Sequence, residues 1–239
     1  LLYKRYLDGE DLTPILTQRR EVGATLVRVL GMCHGIARFY PQEYPQYYDR
    51  LASFAALLAT ARLYLEFVVF ADQQAVRVIG EQFHFRECCG RLRAIPNIFV
   101  ELANEWPKNG IDPTQFSRPA GILASQGSAL ADAPPPTPGW DYHTWHGRRD
   151  WPKVTSSFED AWYTVEESPK PIVHDEPMGF AEADEPRRRS TNPRLARQLA
   201  ATSVVLGAGA TFHSEAGLRS ELWGPIQQAC ARAFFEALT

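Results

Sequence analysis

The sequence has no apolar run of the roughly 18–20 residues needed for a helix to span a bilayer, so it offers no candidate span. It has little charge imbalance. The formal net charge is −3, and nothing electrostatic favours nucleic acid or an anionic membrane surface as a partner. Its four cysteines, Cys33, Cys88, Cys89 and Cys230, make no CxxC pair and no secreted-scaffold spacing. They read as reduced structural thiols, since adjacent Cys88 and Cys89 would be unusual disulfide partners. No GxGxxG opens a helix, so a dinucleotide-binding fold lacks its main support. The chain opens on Leu1-Leu2-Tyr3 with no initiator Met and no signal-like apolar segment. The expectation is a fragment whose beginning lies elsewhere, and neither localisation nor oligomeric state can be read from it.

The chain does have an alternation of short apolar runs and helical stretches. With 45% hydrophobic and 12% aromatic residues, 239 residues are enough for one core, and a single domain over 1–239 is expected. Helices are expected at Leu12–Val22, with Asp11 as N-cap and Gly23 as stop, and at 44–62, 74–93, 156–168, 193–202 and 223–238. Between them lie "ATLVRVLGM" (24–32), "LYLEFVVFADQQ" (63–74), "NIFVELANEW" (97–106), "GILASQGS" (121–128), "WDYHTWHG" (140–147), "PIVHDEPMGF" (171–180) and "SVVLGAGATFHSEAG" (203–217). Short Val- and Leu-rich runs of this kind suit strands buried on both faces. Strands that alternate with helices imply a parallel sheet with right-handed crossovers. Seven strand candidates suggest an α/β (β/α)8 TIM barrel whose first strand is missing from the chain or disguised in Leu1–Tyr6. A doubly wound open sheet is the competing arrangement.

In such a barrel the active site lies at the C-terminal ends of the strands. Five of the six histidines fall in or just after strand candidates: His34, His143, His146, His174 and His213. Only His84 lies in a helix. A lone histidine is more often a structural residue, but five on one expected face make a pattern. His143 and His146, three apart in a strand, would point to opposite faces. No HxH or HExxH occurs on one element, so a metal site is not expected. The carboxylates are more specific. Glu105 ends one strand and Glu176 another, each closely followed by proline. Glycosidic hydrolysis needs one carboxylic acid to protonate the leaving oxygen and a second carboxylate to attack or to activate water. A separation of about 5–5.5 Å gives retention and a wider gap inversion. Glu101 lies within its strand and is a poorer acid candidate than Glu105.

Asn104-Glu105 at one strand end and Glu176 three strands further on resemble the clan of (β/α)8 retaining glycoside hydrolases that includes cellulases, mannanases and β-galactosidases. In that clan the acid/base glutamate follows an asparagine on the fourth strand, and the nucleophile ends the seventh. Taking "ATLVRVLGM" as the second strand gives that register and requires a first strand before Leu1. The resemblance spans about Arg28 to Glu215. It implies Glu105 as general acid/base and Glu176 as nucleophile. It also implies that Asn104 binds the sugar 2-hydroxyl, and that Arg28 keeps the nucleophile ionised. His143 or Tyr142 would fill the clan's aromatic or histidine position near the nucleophile. The clan's eighth strand often ends in a tryptophan; here Phe212-His213-Ser214-Glu215 stands there, adding a third carboxylate. Trp106, Trp140, Trp145 and Trp151 are candidates for the sugar platform, because aromatic rings stack on apolar pyranose faces. The candidate substrate-binding set is thus Arg28, His34, Asn104, Trp106, Tyr142, His143, Trp145, His213 and Glu215. Arg148 and Arg149 offer a seat for an acidic sugar, although they and "RRR" (187–189) read more simply as solvated charge. The implied partner is an oligo- or polysaccharide, and the chemistry needs no metal and no organic cofactor. The alternatives are a non-catalytic carbohydrate-binding or structural barrel, and a metal-dependent hydrolase using His34, His143, His174 or His213.

Overall fold

The structure, a computed structural model, describes residues 1–34, 38–72, 78–128, 139–146, 170–175, 192–205, 207–212 and 220–239. Within them the order is α1 (Leu2–Leu7), α2 (Thr13–Glu21), β1 (Leu26–Leu30), α3 (Tyr47–Thr60), β2 (Tyr64–Phe70), α4 (Glu81–Leu92), β3 (Ile98–Ala103), β4 (Leu123–Ser125), β5 (His143–Trp145), β6 (Ile172–His174), α5 (Pro193–Val205), β7 (Gly209–Ala210) and α6 (Pro225–Glu236). Among the described residues no helix is long and apolar enough to cross a membrane. The four cysteines are free and buried.

All strand pairings between these elements are parallel. β1 to β4 form one sheet in sequence order, and β5 to β7 another. Asp141 joins the two. Its backbone N–H donates to the Ala124 carbonyl at 2.8 Å, and its carboxylate accepts from the Ala124 N–H at 3.0 Å. Adjacent β5 and β4 side chains also meet, with Ser125 Oγ 3.3 Å from Thr144 Oγ1.

The helices follow from their apolar stripes. On α3 the buried residues Tyr47, Leu51, Phe54, Ala55 and Leu58 recur at helical spacing and pack against β2 and α4. On β2, Leu65, Phe67 and Val69 face the helices. The alternate residues Tyr64, Glu66 and Val68 face the other side, as the period of two requires, while Phe70 at the strand end packs on His84 of α4 and on Phe116. A second apolar cluster joins α5, α6, Phe212 and Trp223. Arg19 of α2 ties this part to the first: its guanidinium lies 3.4 Å over the Trp223 ring and donates to the Glu221 carbonyl at 2.5 Å.

Three expectations need correction. Leu2–Leu7 is a helix, so Leu1–Tyr6 hides no strand. Residues 203–205 complete α5 rather than opening a strand, because Ser203 continues the buried stripe of Leu199 and Ala200, and β7 is only Gly209–Ala210. The helix expected from 74 begins at Glu81, behind Gly80 at φ 82°. The helix expected at 156–168 lies outside the described residues.

Candidate active site

The inner face of the strands is polar where barrel interiors are usually filled by bulky branched residues. The register places Arg28, Glu66, Glu101 and Ser125 on it. Tyr142 enters the same layer from β5: its hydroxyl lies 2.9 Å from Glu66 Oε1 and 3.2 Å from the Val100 carbonyl. Arg28 is the hub. Its Nε donates to Glu101 Oε2 at 2.7 Å, and its Nη2 donates to Glu101 Oε1 and Asn104 Oδ1, each at 2.9 Å. The same Nε lies 3.2 Å from Asp175 Oδ2. Two buried carboxylates, Glu101 and Asp175, thus share one guanidinium. Burial, reinforced by Glu101 and Asp175, pushes the Glu66 carboxyl up to about 8. Burial also raises Glu101, against the pull of Arg28. Arg28 was expected to keep Glu176 ionised; Glu176 lies outside the described residues, and among those described Arg28 lies against Glu101 and Asp175.

Above this layer, at the C-terminal end of β3, the chain stops being extended. Glu105 sits at φ 40°, a left-handed conformation that costs a residue with a side chain about 1–3 kcal/mol. Residues 104–110 close into a turn: Lys108 and Asn109 donate their N–H groups to the Glu105 carbonyl at 2.9 and 3.0 Å, and Asn109 Nδ2 donates to the Asn104 carbonyl at 2.7 Å. Ser128 holds the turn from β4. Its carbonyl accepts from the Trp106 N–H at 3.3 Å, and its Oγ from the Glu105 N–H at 3.4 Å. Gly127 makes that approach possible: at φ 99°, a Cβ there would lie 1.8 Å from the Ala103 carbonyl oxygen.

The Glu105 carboxylate is buried between two basic side chains. Lys108 Nζ donates to Oε2 at 2.8 Å, and His146 Nδ1 lies 3.7 Å from Oε1. The other nitrogen of His146 lies 2.8 Å from Ser128 Oγ and 3.1 Å from Asp175 Oδ1. Asp175 and His146 are neighbours because Trp145 pairs with His174, so the next residues of β5 and β6 point the same way.

Arg28 is hydrogen-bonded to Asn104, and Glu105 is the next residue in the chain. Tyr142 does face inward, but in the Glu66 layer rather than at the mouth. His143 and Trp145 alternate onto the outer face of β5, where Trp145 packs on His174 with ring centroids 4.2 Å apart. His146, rather than His143 or Tyr142, is the β5-end side chain that lies beside Glu105. Trp106 packs against the main core, and His34 Nδ1 shares a 2.6 Å hydrogen bond with Tyr40. Glu176, His213 and Glu215, like Trp151, Arg148 and Arg149, lie outside the described residues. His84 is a neutral core group: burial pushes it down to about 3, and Tyr48 and Val69 hold its two nitrogens. Among the described residues no three His, Cys, Asp or Glu side chains are gathered to hold a metal ion.

The residues that sequence reasoning passed over left traces. Glu66 is a lone carboxylate within "LYLEFVVF", and charge inside a doubly buried strand marks a barrel interior. Asp175 stood beside the favoured Glu176. Ser128 was legible only through Gly127.

No protein-family model and no curated protein matches the chain. Solved structures do. A GH5_18 from Bifidobacterium longum subsp. infantis superposes with a TM-score of 0.64 at 15% identity, covering 99% of this chain and 75% of that one. The family 5 xyloglucanase from Paenibacillus pabuli gives 0.61 at 10% identity, covering 94% and 90%. A glycoside hydrolase family 5 structure from Bacteroides vulgatus gives 0.59 at 14% identity, covering 88% of this chain. The fold is that of the (β/α)8 glycoside hydrolases. The chain spans about half the length of the two Bacteroides vulgatus structures it matches, 56% and 48%.

Proposed function

We propose that the chain is a retaining glycoside hydrolase acting on a β-glycosidic bond of an oligo- or polysaccharide. Glu105 protonates the departing oxygen while Glu176 attacks the anomeric carbon to form a covalent glycosyl intermediate. Glu105 then deprotonates the water that releases it. The observation that carries this reading is the setting of Glu105. It is a buried carboxylate at a barrel-strand end, held in a strained turn next to an Asn104 that Arg28 fixes. Strain of this kind persists where surrounding structure over-determines it, and it clusters at functional sites. Asn104 is left beside Glu105 to bind a sugar hydroxyl. The matched structures include complexes with a xyloglucan tetradecasaccharide and with cellotriose, which supports a carbohydrate as substrate.

The test is a panel of activated aryl β-glycosides and β-glucan polysaccharides with wild type, Glu105→Gln and Glu176→Gln. Turnover by wild type is expected, with a loss of 10²-fold or more in each variant, roughly what a positioned acid/base group contributes. Azide should rescue Glu176→Gln or Glu105→Gln as a glycosyl azide, whose anomeric configuration reports which carboxylate was removed. Wild-type rates in both variants would overturn the reading. Absence of turnover by wild type, with retained polysaccharide binding, would instead be the signature of a non-catalytic carbohydrate-binding barrel.

A further inference from the structure

We propose that Asp175 is a positioning residue that fixes the proton of His146 on Nε2 and so leaves Nδ1 as the nitrogen that answers to Glu105. The inference rests on the role of Glu105 given above. A carboxylate oxygen repels a lone pair aimed at it and favours an N–H there, so Asp175 Oδ1, 3.1 Å from His146 Nε2, favours a hydrogen on that nitrogen by its charge. Ser128 Oγ, 2.8 Å from the same Nε2, then accepts as well. Nδ1 faces Glu105 Oε1 at 3.7 Å, a gap that closes with little movement. When Glu105 carries its proton, the Nδ1 lone pair is the matching partner. When Glu105 is ionised, a proton on Nδ1 is. The pair accommodates both states of a group that must act first as acid and then as base, and no rotation of the ring is needed.

Asp175 is anchored for this task. Its backbone N–H donates to the Trp145 carbonyl at 3.2 Å, and its carbonyl accepts from Thr211 Oγ1. Its other carboxylate oxygen faces Arg28 Nε at 3.2 Å. Neither oxygen has a hydrogen bond of good geometry, so its hold on His146 and Arg28 is mainly Coulombic. The charged or titratable groups that face His146 among the described residues are Glu105 from β3, Asp175 from β6 and, through the shared interior, Glu101 with Arg28. Removing Asp175 therefore takes away the negative charge that selects Nε2–H.

Long-range ¹H–¹⁵N correlation of the imidazoles, with His146 assigned by its loss in His146→Asn, reads this directly. Wild type is expected to show the Nε2–H form of His146 wherever it is neutral. Asp175→Asn, whose amide donates as readily as it accepts, is expected to show a mixture. It should also lower kcat/KM on an activated aryl glycoside at least tenfold and move its pH profile. The double variant Asp175→Asn/His146→Asn should lose little beyond the worse single variant. An Nδ1–H wild-type tautomer, or an unchanged tautomer and pH profile in Asp175→Asn, would overturn the inference. Should Asp175→Asn not fold, the wild-type spectrum decides alone. If wild type hydrolyses no glycoside, the activity assignment fails while the tautomer is still read.

Discussion

The guanidinium of Arg28 grips the Glu101 carboxylate with two parallel hydrogen bonds, Nε to Oε2 at 2.7 Å and Nη2 to Oε1 at 2.9 Å, inside a barrel that buries both. Removing one partner of such a pair leaves an uncompensated buried charge and costs about 3–5 kcal/mol. Here the loss would also free Asn104 and Asp175. Arg28→Met should therefore lower stability by at least that amount, measured as a fall in the urea midpoint at pH 7. Arg28→Lys keeps the charge but not the planar fork, so it should recover less than half of the loss. A midpoint for Arg28→Met within experimental error of wild type would show that the interior charges reorganise without cost.

Glu66 gives a pH dependence with a definite sign. Its folded pKa of about 8 lies above the 4.5 of an unperturbed carboxyl, so the folded state holds a proton that the unfolded state has released. Stability from this group is fully present below about 4.5 and is lost as pH rises, until the loss saturates above about 8. The loss is on the order of 3–5 kcal/mol from the size of the displacement. Glu66→Gln keeps an acceptor for the Tyr142 hydroxyl and cannot ionise. Its melting temperature relative to wild type should rise steadily between pH 5 and pH 8.5. A difference that stays constant across this range would mean that Glu66 titrates normally.

Glu105 should trade stability against turnover. At φ 40° glycine is unstrained and alanine is not. Glu105→Gly should therefore be more stable than Glu105→Ala by about 1 kcal/mol, with both inactive. For a chain of this size that difference is about 2–4 °C in Tm. Equal melting temperatures would place Glu105 outside the left-handed region.

The strands were legible because doubly buried parallel strands are short, apolar and separated by helices, and residues 24–32, 63–74 and 97–106 each hold one. Their ends were less legible. "NIFVELANEW" reads as one extended run, yet the strand stops at Ala103 because contacts from Ser128 and the turn through Asn109 force Glu105 out of it. The Ser128 contact comes from 23 positions away and carries no local signal. The same limit applies to β5. Period two assigned opposite faces to His143 and His146, but which face is inner depends on the neighbouring strands. Trp145 packs outward on His174 although it looked like a sugar platform. Glu66 and Asp175 carry no such signal: a carboxylate at a strand end followed by proline stands out in sequence, whereas the barrel interior recruits these two from mid-strand and from one position before Glu176.

Lys108 bears on when Glu105 works as an acid. Its amine lies 2.8 Å from Glu105 Oε2, one turn further along the chain, with 63% of its side chain exposed. A nearby cation favours the ionised carboxylate, so Lys108 opposes the protonation that the first step needs. Lys108→Met should therefore move the basic limb of the kcat/KM profile upward. Because the lysine is largely solvated and screened, the move should be small, about a few tenths of a pH unit, and should shrink further in 1 M salt. An exposed ion pair of this kind contributes about 0–1 kcal/mol, so the melting temperature should barely change. Glycosides with a carboxylate on the leaving group offer Lys108 another anion, and their kcat/KM relative to the neutral analogue should fall in Lys108→Met. A profile and a leaving-group preference both identical to wild type would mean that the lysine turns away from Glu105 in solution and that His146 alone faces the acid.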